Sequence, residues 1–312
     1  MAALEIVATG YPSLDYIMRV RNLPAPGETG VIQADPPPGQ MTPGGCAANV
    51  AVGCARLGMR AGLLMVVGDD FASSGYRAAL AQAGVDLGGV HIVPGATSFT
   101  YLFFDPQGRH QTFFFPGVVT ADVVLEGDEA WMRGARWGVI TVGVPEHNRA
   151  VAEQFHRLGI PIVWAMKGDP FAYPQDLLER LVEIATVAVM NQAEAEALCR
   201  LFGWSEIREL LHPPLEMLFV TLGTEGSRVI TSQGDSWVPA VPPDQMVDPT
   251  GAGDGYLAGL LWALTQGLSP AQAAQAGAIV ASFVLEATGC QTNLPTLQPF
   301  RERYRHHFGE FR

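Results

Sequence analysis

The chain has 312 residues, 48% of them hydrophobic and 16% charged, with a formal net charge of −12. This is the balance of a globular protein long enough to bury a large core without disulfides, and it argues against a nucleic-acid binder, which needs a basic face. No run of 18 apolar residues suggests a membrane span. The start "MAALEIVATGYPSLD" has no basic stretch before its short apolar run, so no leader is expected and a cytoplasmic protein is.

The start "ALEIVATG" reads as a buried strand ending in glycine. "DPPPGQMTPGG" reads as a hinge or loop that leads into a helix over "AANVAVGCARLG", Ala47 to Gly58. "RAGLLMVVGDD" is a strand and "SSGYRAALAQAGV" a helix stopped by Gly84. "TSFTYLFFDPQGRHQTFFF" predicts an aromatic hairpin around the turn "DPQG". Strand and helix then alternate: "WGVITVG", "HNRAVAEQFHRLG", "IPIVWAM", "PQDLLERLVEIA", "TVAVMN", "QAEAEALCRLFG" and "LEMLFVTLG", followed by the short strands "SRVITS" and "DSWVPA". Such alternation predicts an α/β fold with a mostly parallel sheet covered on both faces. Segments 15–43 and 97–115 interrupt it. They are β-rich and suit a small sheet that closes over the main body as a lid. The cysteines, Cys46, Cys54, Cys199 and Cys290, have no metal-ligand spacing and read as reduced buried thiols.

The stretch "DPTGAGD", Asp248 to Asp254, precedes apolar residues at helical spacing from Tyr256 to Leu264. Gly251, Ala252 and Gly253 therefore sit at a helix N-terminus, where free N–H groups and the helix dipole favour an anion. Asp254 would repel phosphate there, yet suits a general base taking a proton from an attacking hydroxyl. It also suits a plain dipole-stabilised acid. A second helix start, "PGGCAAN", puts Gly44 and Gly45 where a ligand can approach the backbone and Asn49 where its amide can reach hydroxyls. There is no G-x-x-x-x-G-K-[ST], and Lys167, the sole lysine, lies in no glycine loop.

Together the two stretches resemble the signatures of the ribokinase-like (PfkB) carbohydrate and nucleoside kinase family, and the resemblance spans essentially the whole chain. It implies a single ribokinase-like domain over residues 1–312, a three-layer α/β/α sandwich with a β-sheet lid. It also implies ATP-dependent phosphorylation of an alcohol, with Asp254 as base and Gly251, Ala252 and Gly253 as anion hole. Asp15 matches the family's acid for substrate hydroxyls, with Gly44, Gly45 and Asn49 completing that subsite. Asn191 and Glu194 are similar to an N-x-x-E motif organising Mg²⁺ and phosphate, and equally to a helix capping box. "TLGTEG", with Thr221, Gly223 and Gly226, resembles a nucleotide-binding loop, and reads equally as a hairpin turn. Asp248 and Thr250, with "ATGCQTNLP", resemble a monovalent-cation (K⁺) region.

Some positions depart from the family's sugar kinases. Gly143 stands where ribokinases offer an acid, Cys46 where they have a lysine, and "VWAMKGD" where many carry a polar, arginine-containing run. The expected function is a kinase for a neutral sugar, with a nucleoside kinase as alternative and a non-catalytic binding protein as the competing class. Neither "GYPSLD" nor "PGGCAAN" contains Lys or Arg, so the acceptor should carry no phosphate. The aromatic hairpin either packs on its own domain or pairs two copies as a homodimer, with Phe103 and Phe113 toward the acceptor or the dimer seam.

Overall fold

The computed structural model describes residues 3–33, 40–120, 129–169 and 171–311. In chain order its elements are β1 (Ile6–Thr9), β2 (Ser13–Arg19), β3 (Met41–Gly44), α1 (Cys46–Arg56), β4 (Ala61–Gly68), α2 (Tyr76–Gln82), β5 (Asp86–Val93), β6 (Phe99–Phe104), β7 (His110–Phe115), α3 (Glu129–Met132) and β8 (Trp137–Ile140). Then follow α4 (Pro145–Arg157), β9 (Ile162–Ala165), α5 (Gln175–Ile184), β10 (Val187–Asn191), α6 (Gln192–Phe202), β11 (Met217–Thr221), β12 (Ser227–Thr231), β13 (Gly234–Val238), α7 (Ala252–Thr265), α8 (Pro270–Val284) and α9 (Leu297–Phe308).

The main sheet has nine strands in the order β13-β12-β11-β10-β9-β8-β1-β4-β5. All pairings from β11 to β5 are parallel; β12 and β13 close one edge antiparallel. Its strands are apolar at successive positions, and the period-two pleat divides those residues between two cores. Ile6 and Ala8 of β1, Leu63 and Met65 of β4, and Val187 and Val189 of β10 face a core shared with α1, α2, α7, α8 and α9. Val7, Leu64, Val66, Ala188 and Met190 face the opposite core, shared with α4, α5 and α6. The result is the three-layer α/β/α sandwich.

A second sheet has four strands in the order β3-β2-β6-β7. Residues 41–44, read from sequence as loop, are in fact its edge strand, with Leu14 of β2 paired to Pro43. A proline is tolerated there because an edge strand leaves one row of N–H positions unpaired. Residues 34–39 of the proline-rich piece lie outside the described residues. Register decides the faces of this sheet. Asp15, Thr100 and Phe114 share one face, while Tyr16, Tyr101 and Phe113 share the other.

The sequence reading leaves β5, α8 and α9 unassigned. β5 is weakly marked because its two glycines make room for Trp131, whose indole donates to Asp86 Oδ1 at 3.1 Å. α8 packs on α7, and both helices are apolar on most sides, so neither shows a polar face to betray its register. The two approach closely at Gly259, where a Cβ would stand 2.3 Å from the carbonyl oxygen of Ala276. Gly259→Ala gains roughly 1 kcal/mol of helix propensity, but the clash is with backbone and forces the helices apart. A net loss of about 1–3 kcal/mol is expected, read as a lower Tm by calorimetry; an unchanged or higher Tm would refute this account of the packing.

Candidate active site

The cleft lies at the carboxyl ends of the parallel strands, where open α/β sheets bind ligands. The N-termini of α1 and α7 meet there. Gly251 caps α7 at φ 81°, and a Cβ on it would strike Cys290 at 2.6 Å, so the position takes only glycine. The Ala252 amide turns back to the Pro249 carbonyl at 3.3 Å. Among the described residues the amides of Gly251, Gly253 and Asp254 have no hydrogen-bond partner, and a Cβ on Gly253 would meet nothing within 4 Å. This is an open, donor-lined helix start.

Asp254 is half-buried on the first turn of α7. The Asn49 amide donates to its Oδ2 at 2.8 Å, and Gln291 Nε2 donates to Asn49 Oδ1 at 2.9 Å. Asn49 is buried with its amide engaged at both ends, which makes it a holder of Asp254 in this state rather than a free arm toward a ligand. Burial pushes the Asp254 carboxyl above its usual range, while Asn49, Lys167 and Cys46 pull it back.

Asp15 is buried on β2. Ser13 Oγ donates to its Oδ1 at 2.5 Å and lies 2.8 Å from Thr100 Oγ1. Burial, aided by the charge of Asp254, pushes Asp15 up to about 6 against the hydroxyl bonds. Its carboxylate rests on the backbone of Gly44, where a Cβ would overlap Oδ2 at 1.9 Å. The Gly44 carbonyl accepts from the Tyr76 hydroxyl at 2.7 Å. Gly45 turns at φ 88° beneath the Tyr11 carbonyl to start α1.

Asp248 is buried and binds the loops behind α7 together. Its Oδ1 accepts from the Thr250 amide at 2.9 Å and its Oδ2 from the Gly289 amide at 3.0 Å. On the other side of the cleft Asn191 caps α6. Its side chain accepts from the Glu194 amide at 2.9 Å, and Glu194 Oε2 accepts from the Asn191 amide at 2.8 Å, a complete capping box. Glu194 Oε1 also accepts from the Gly168 amide at 3.1 Å, and burial raises its carboxyl. Thr221 ends β11 beside Asn191, and "TLGTEG" forms the turn between β11 and β12, with Gly223 at φ 60° and Gly226 at φ 108°.

The structure thus brings Asp15, Gly44, Gly45, Asn49, Asp254 and the 248–253 turn into one cluster, with Asn191, Glu194 and Thr221 across the cleft. Several participants escaped the sequence reading. Cys46 opens α1 beside Asp254 and helps keep its carboxyl from rising further, Gln291 orients Asn49, and Lys167 is near enough to Asp254 and Glu194 to feel their charge. The sequence signs of Lys167 were its being the sole lysine and its place in "VWAMKGD", where many sugar kinases of the resembled family carry an arginine-containing run. Gly143 has a packing reason. A Cβ there would stand 2.7 Å from Oδ1 of the buried Asn148, so no acid could occupy it. Phe103 and Phe113 meet edge-on at 6.0 Å on the face opposite Asp15, not toward it. Phe114, which like Phe104 is on the Asp15 face, lies 4.9 Å from the Tyr11 ring.

The pattern of the pfkB family carbohydrate kinases matches residues 4–297. A nucleoside kinase of Methanocaldococcus jannaschii is 33% identical over 97% of this chain and 97% of its own length. One of Methanothermobacter thermautotrophicus is 30% identical over 93% and 92%. The crystal structure of the M. jannaschii nucleoside kinase, described as an archaeal member of the ribokinase family, superposes with a TM-score of 0.87 over 98% of this chain and 100% of that one.

Asp15 should titrate near pH 6 in carboxyl ¹³C NMR of the folded protein. Ser13→Ala removes a bond to the charged form and should move the midpoint higher still. A midpoint near 4 in both proteins would overturn the burial argument.

Proposed function

The chain belongs to the pfkB family of carbohydrate kinases, and from that premise we propose that it transfers the γ-phosphoryl group of ATP to a hydroxyl of a nucleoside. The observation that carries phosphoryl transfer is the pairing of Asp254, held by Asn49 at 2.8 Å, with unpartnered amides at the start of α7. The preference for a nucleoside rests on the relatives at 33% and 30% identity, both nucleoside kinases. They reverse the order reached from sequence, which put a neutral sugar first. The Tyr11 and Phe114 rings beside Asp15 also suit a flat base better than a free sugar.

In this reading Asp15 accepts hydrogen bonds from the ribose hydroxyls, with Gly44 and Gly45 letting the sugar approach the backbone. Asp254 takes the proton of the attacking hydroxyl. The amides of Gly251, Gly253 and Asp254 receive charge on the phosphoryl oxygens, aided by the α7 dipole. The turn from Thr221 to Gly226 and the α6 start at Asn191 border the nucleotide. Among the described residues no group of three or more His, Cys, Asp or Glu could hold a metal. Mg²⁺ keeps most of its waters and would arrive with the nucleotide; in this reading Glu194, whose oxygens already accept the Gly168 and Asn191 amides, is the carboxylate that would meet one of those waters. When bound, Mg²⁺ neutralises phosphate charge. Asp248, buried with no ion pair among the described residues, fits a monovalent cation held with Thr250. The small sheet acts as the lid, excluding water.

A panel of nucleosides, ribose and fructose with ATP and Mg²⁺, read by ADP release, tests the reading. The highest kcat/KM is expected on a nucleoside; higher efficiency on a free sugar would return the sugar reading to first place. Asp254→Asn should bind nucleotide yet lose about 10²–10⁴-fold in kcat, and wild-type turnover in that variant would remove Asp254 from the chemistry.

We also propose that the outer face of the small sheet pairs two copies of the chain. It carries Tyr16, Phe99, Tyr101, Phe103, Phe113 and Phe115, with Phe113 58% and Phe115 45% exposed. A patch without acids is where two copies of a chain of net charge −12 meet with least repulsion. Light scattering should give a dimer that Phe113→Asp converts to a monomer; a monomeric wild type at tens of micromolar would dismiss it.

A further inference from the structure

We infer that Lys167 is a catalytic residue of the transfer step, its ammonium donating hydrogen bonds to oxygens of the phosphoryl group as that group passes from ADP to the acceptor. The inference deepens the phosphoryl-transfer reading and rests on it. Nothing in the family match or in the names of the relatives assigns a role to this position.

Lys167 follows β9, and the backbone around it is pinned. The Met166 amide donates to the Val189 carbonyl at 2.9 Å, next to the end of β10. The Gly168 amide donates to Glu194 Oε1 at 3.1 Å, at the start of α6. The Tyr173 hydroxyl donates to the Ala165 carbonyl at 2.8 Å. A lysine two residues past a buried strand, between two such anchors, cannot swing away with its loop.

The groups around it come from separate parts of the chain: the carboxylates of Asp254 on α7 and Glu194 on α6, and the neutral thiols of Cys46 on α1 and Cys290 in the loop after α8. They surround the place where an acceptor hydroxyl beside Asp254 and a nucleotide beside α6 would meet. The Cys46 thiol near it is pushed far up by burial and stays neutral, so Asp254 and Glu194 are the charges that favour the ammonium. Yet among the described residues Lys167 has no ion pair within 4 Å and no side-chain hydrogen bond. A structural lysine would be locked to one carboxylate. This one is attracted by two and bound by neither, so its donors are free for an anion. Arg19, the basic side chain beside the 247–249 segment, reaches Thr288 Oγ1 at 3.4 Å instead.

The chemistry requires such a cation. The acceptor oxygen forms its bond to the γ-phosphorus while the bond from that phosphorus to the β,γ-bridging oxygen breaks, and ADP departs. The hydroxyl proton passes to Asp254, and Lys167 keeps its own. The three equatorial oxygens carry charge throughout. The α7 N-terminus supplies roughly half a positive charge, and Asp254 and Glu194 bring negative charge close by. A lysine between them balances those acids and draws the phosphoryl group toward the base.

The test compares the wild type with Lys167→Met and Lys167→Arg. The wild type must first turn over an acceptor; if it phosphorylates none, the phosphoryl-transfer reading fails before this one is reached. Lys167→Met should then lose about 10²-fold or more in kcat, the cost of one oxyanion donor, with the acceptor KM within threefold. Lys167→Arg should recover at least tenfold of that loss. A mimic of the transferring group, ADP with aluminium fluoride and acceptor, should bind at least tenfold more weakly to Lys167→Met, while ADP alone binds as to the wild type. Lys167 is exposed, so an unchanged Tm is expected, and the mimic-to-ADP ratio is independent of the active fraction. A kcat within threefold of wild type in Lys167→Met, or equal weakening of ADP and its fluoride complex, would overturn the inference.

Discussion

One hydrogen bond joins the starts of α1 and α7 at the cleft: Asn49 Nδ2 to Asp254 Oδ2 at 2.8 Å. Asn49 belongs to the first turn of α1 and Asp254 to the first turn of α7. The bond therefore sets the distance between the glycine pair before α1 and the amides that open α7. Gln291 completes it from a third segment by fixing which end of the Asn49 amide donates. The helices can approach this closely because Gly53 faces Ala258, where a Cβ would stand 2.6 Å from the alanine's own. Without that approach, Asp254 and the glycine pair before α1 would not meet in one cluster.

A second constraint is charge. The chain is acidic overall and concentrates Asp15, Asp248, Asp254 and Glu194 around one cleft. Each is answered by local donors rather than by a short ion pair. Ser13 serves Asp15, backbone amides serve Asp248, Asn49 serves Asp254, and backbone amides at both the α6 start and Gly168 serve Glu194. Hydrogen bonds to the charged form offset desolvation only in part, which is why Asp15, Asp254 and Glu194 remain above their usual range. A site so arranged attracts cations and cation-bearing ligands.

Glycine at the cleft serves close approach as much as turning. Gly44 is flat against the Asp15 carboxylate and Gly251 against Cys290. In each case the missing side chain is replaced by a neighbour that belongs to the site. The same logic in reverse explains Gly143, whose space is filled by Asn148 so that the loop after β8 offers no carboxylate there. Aromatic rings line that side from Tyr11 and Phe114 instead.

Much of this was legible in the sequence because it is encoded within a few residues. Apolar strand runs, helix starts after glycine pairs, the hairpin turn at 105–108 and the Asn191–Glu194 box each follow from backbone hydrogen bonding and side-chain periodicity over one or two turns. The donor-lined start of α7, with an acid on it, was visible on the same grounds. The partners of that acid were not. Asn49 and Asp254 are 205 positions apart, and Gln291 and Asn49 are 242 apart. Lys167 reaches them only because the sheet order puts the end of β9 beside β10 and opposite α1 and α7. No local pattern marks such a residue. Likewise, alternation along β6 and β7 separates Phe113 from Phe114, but only pairing with β2 decides which of them shares a face with Asp15. The sequence by itself determined the elements and the chemistry available at their ends. Tertiary structure decided which of those groups meet, because strand order and register, not spacing along the chain, set their separation in space.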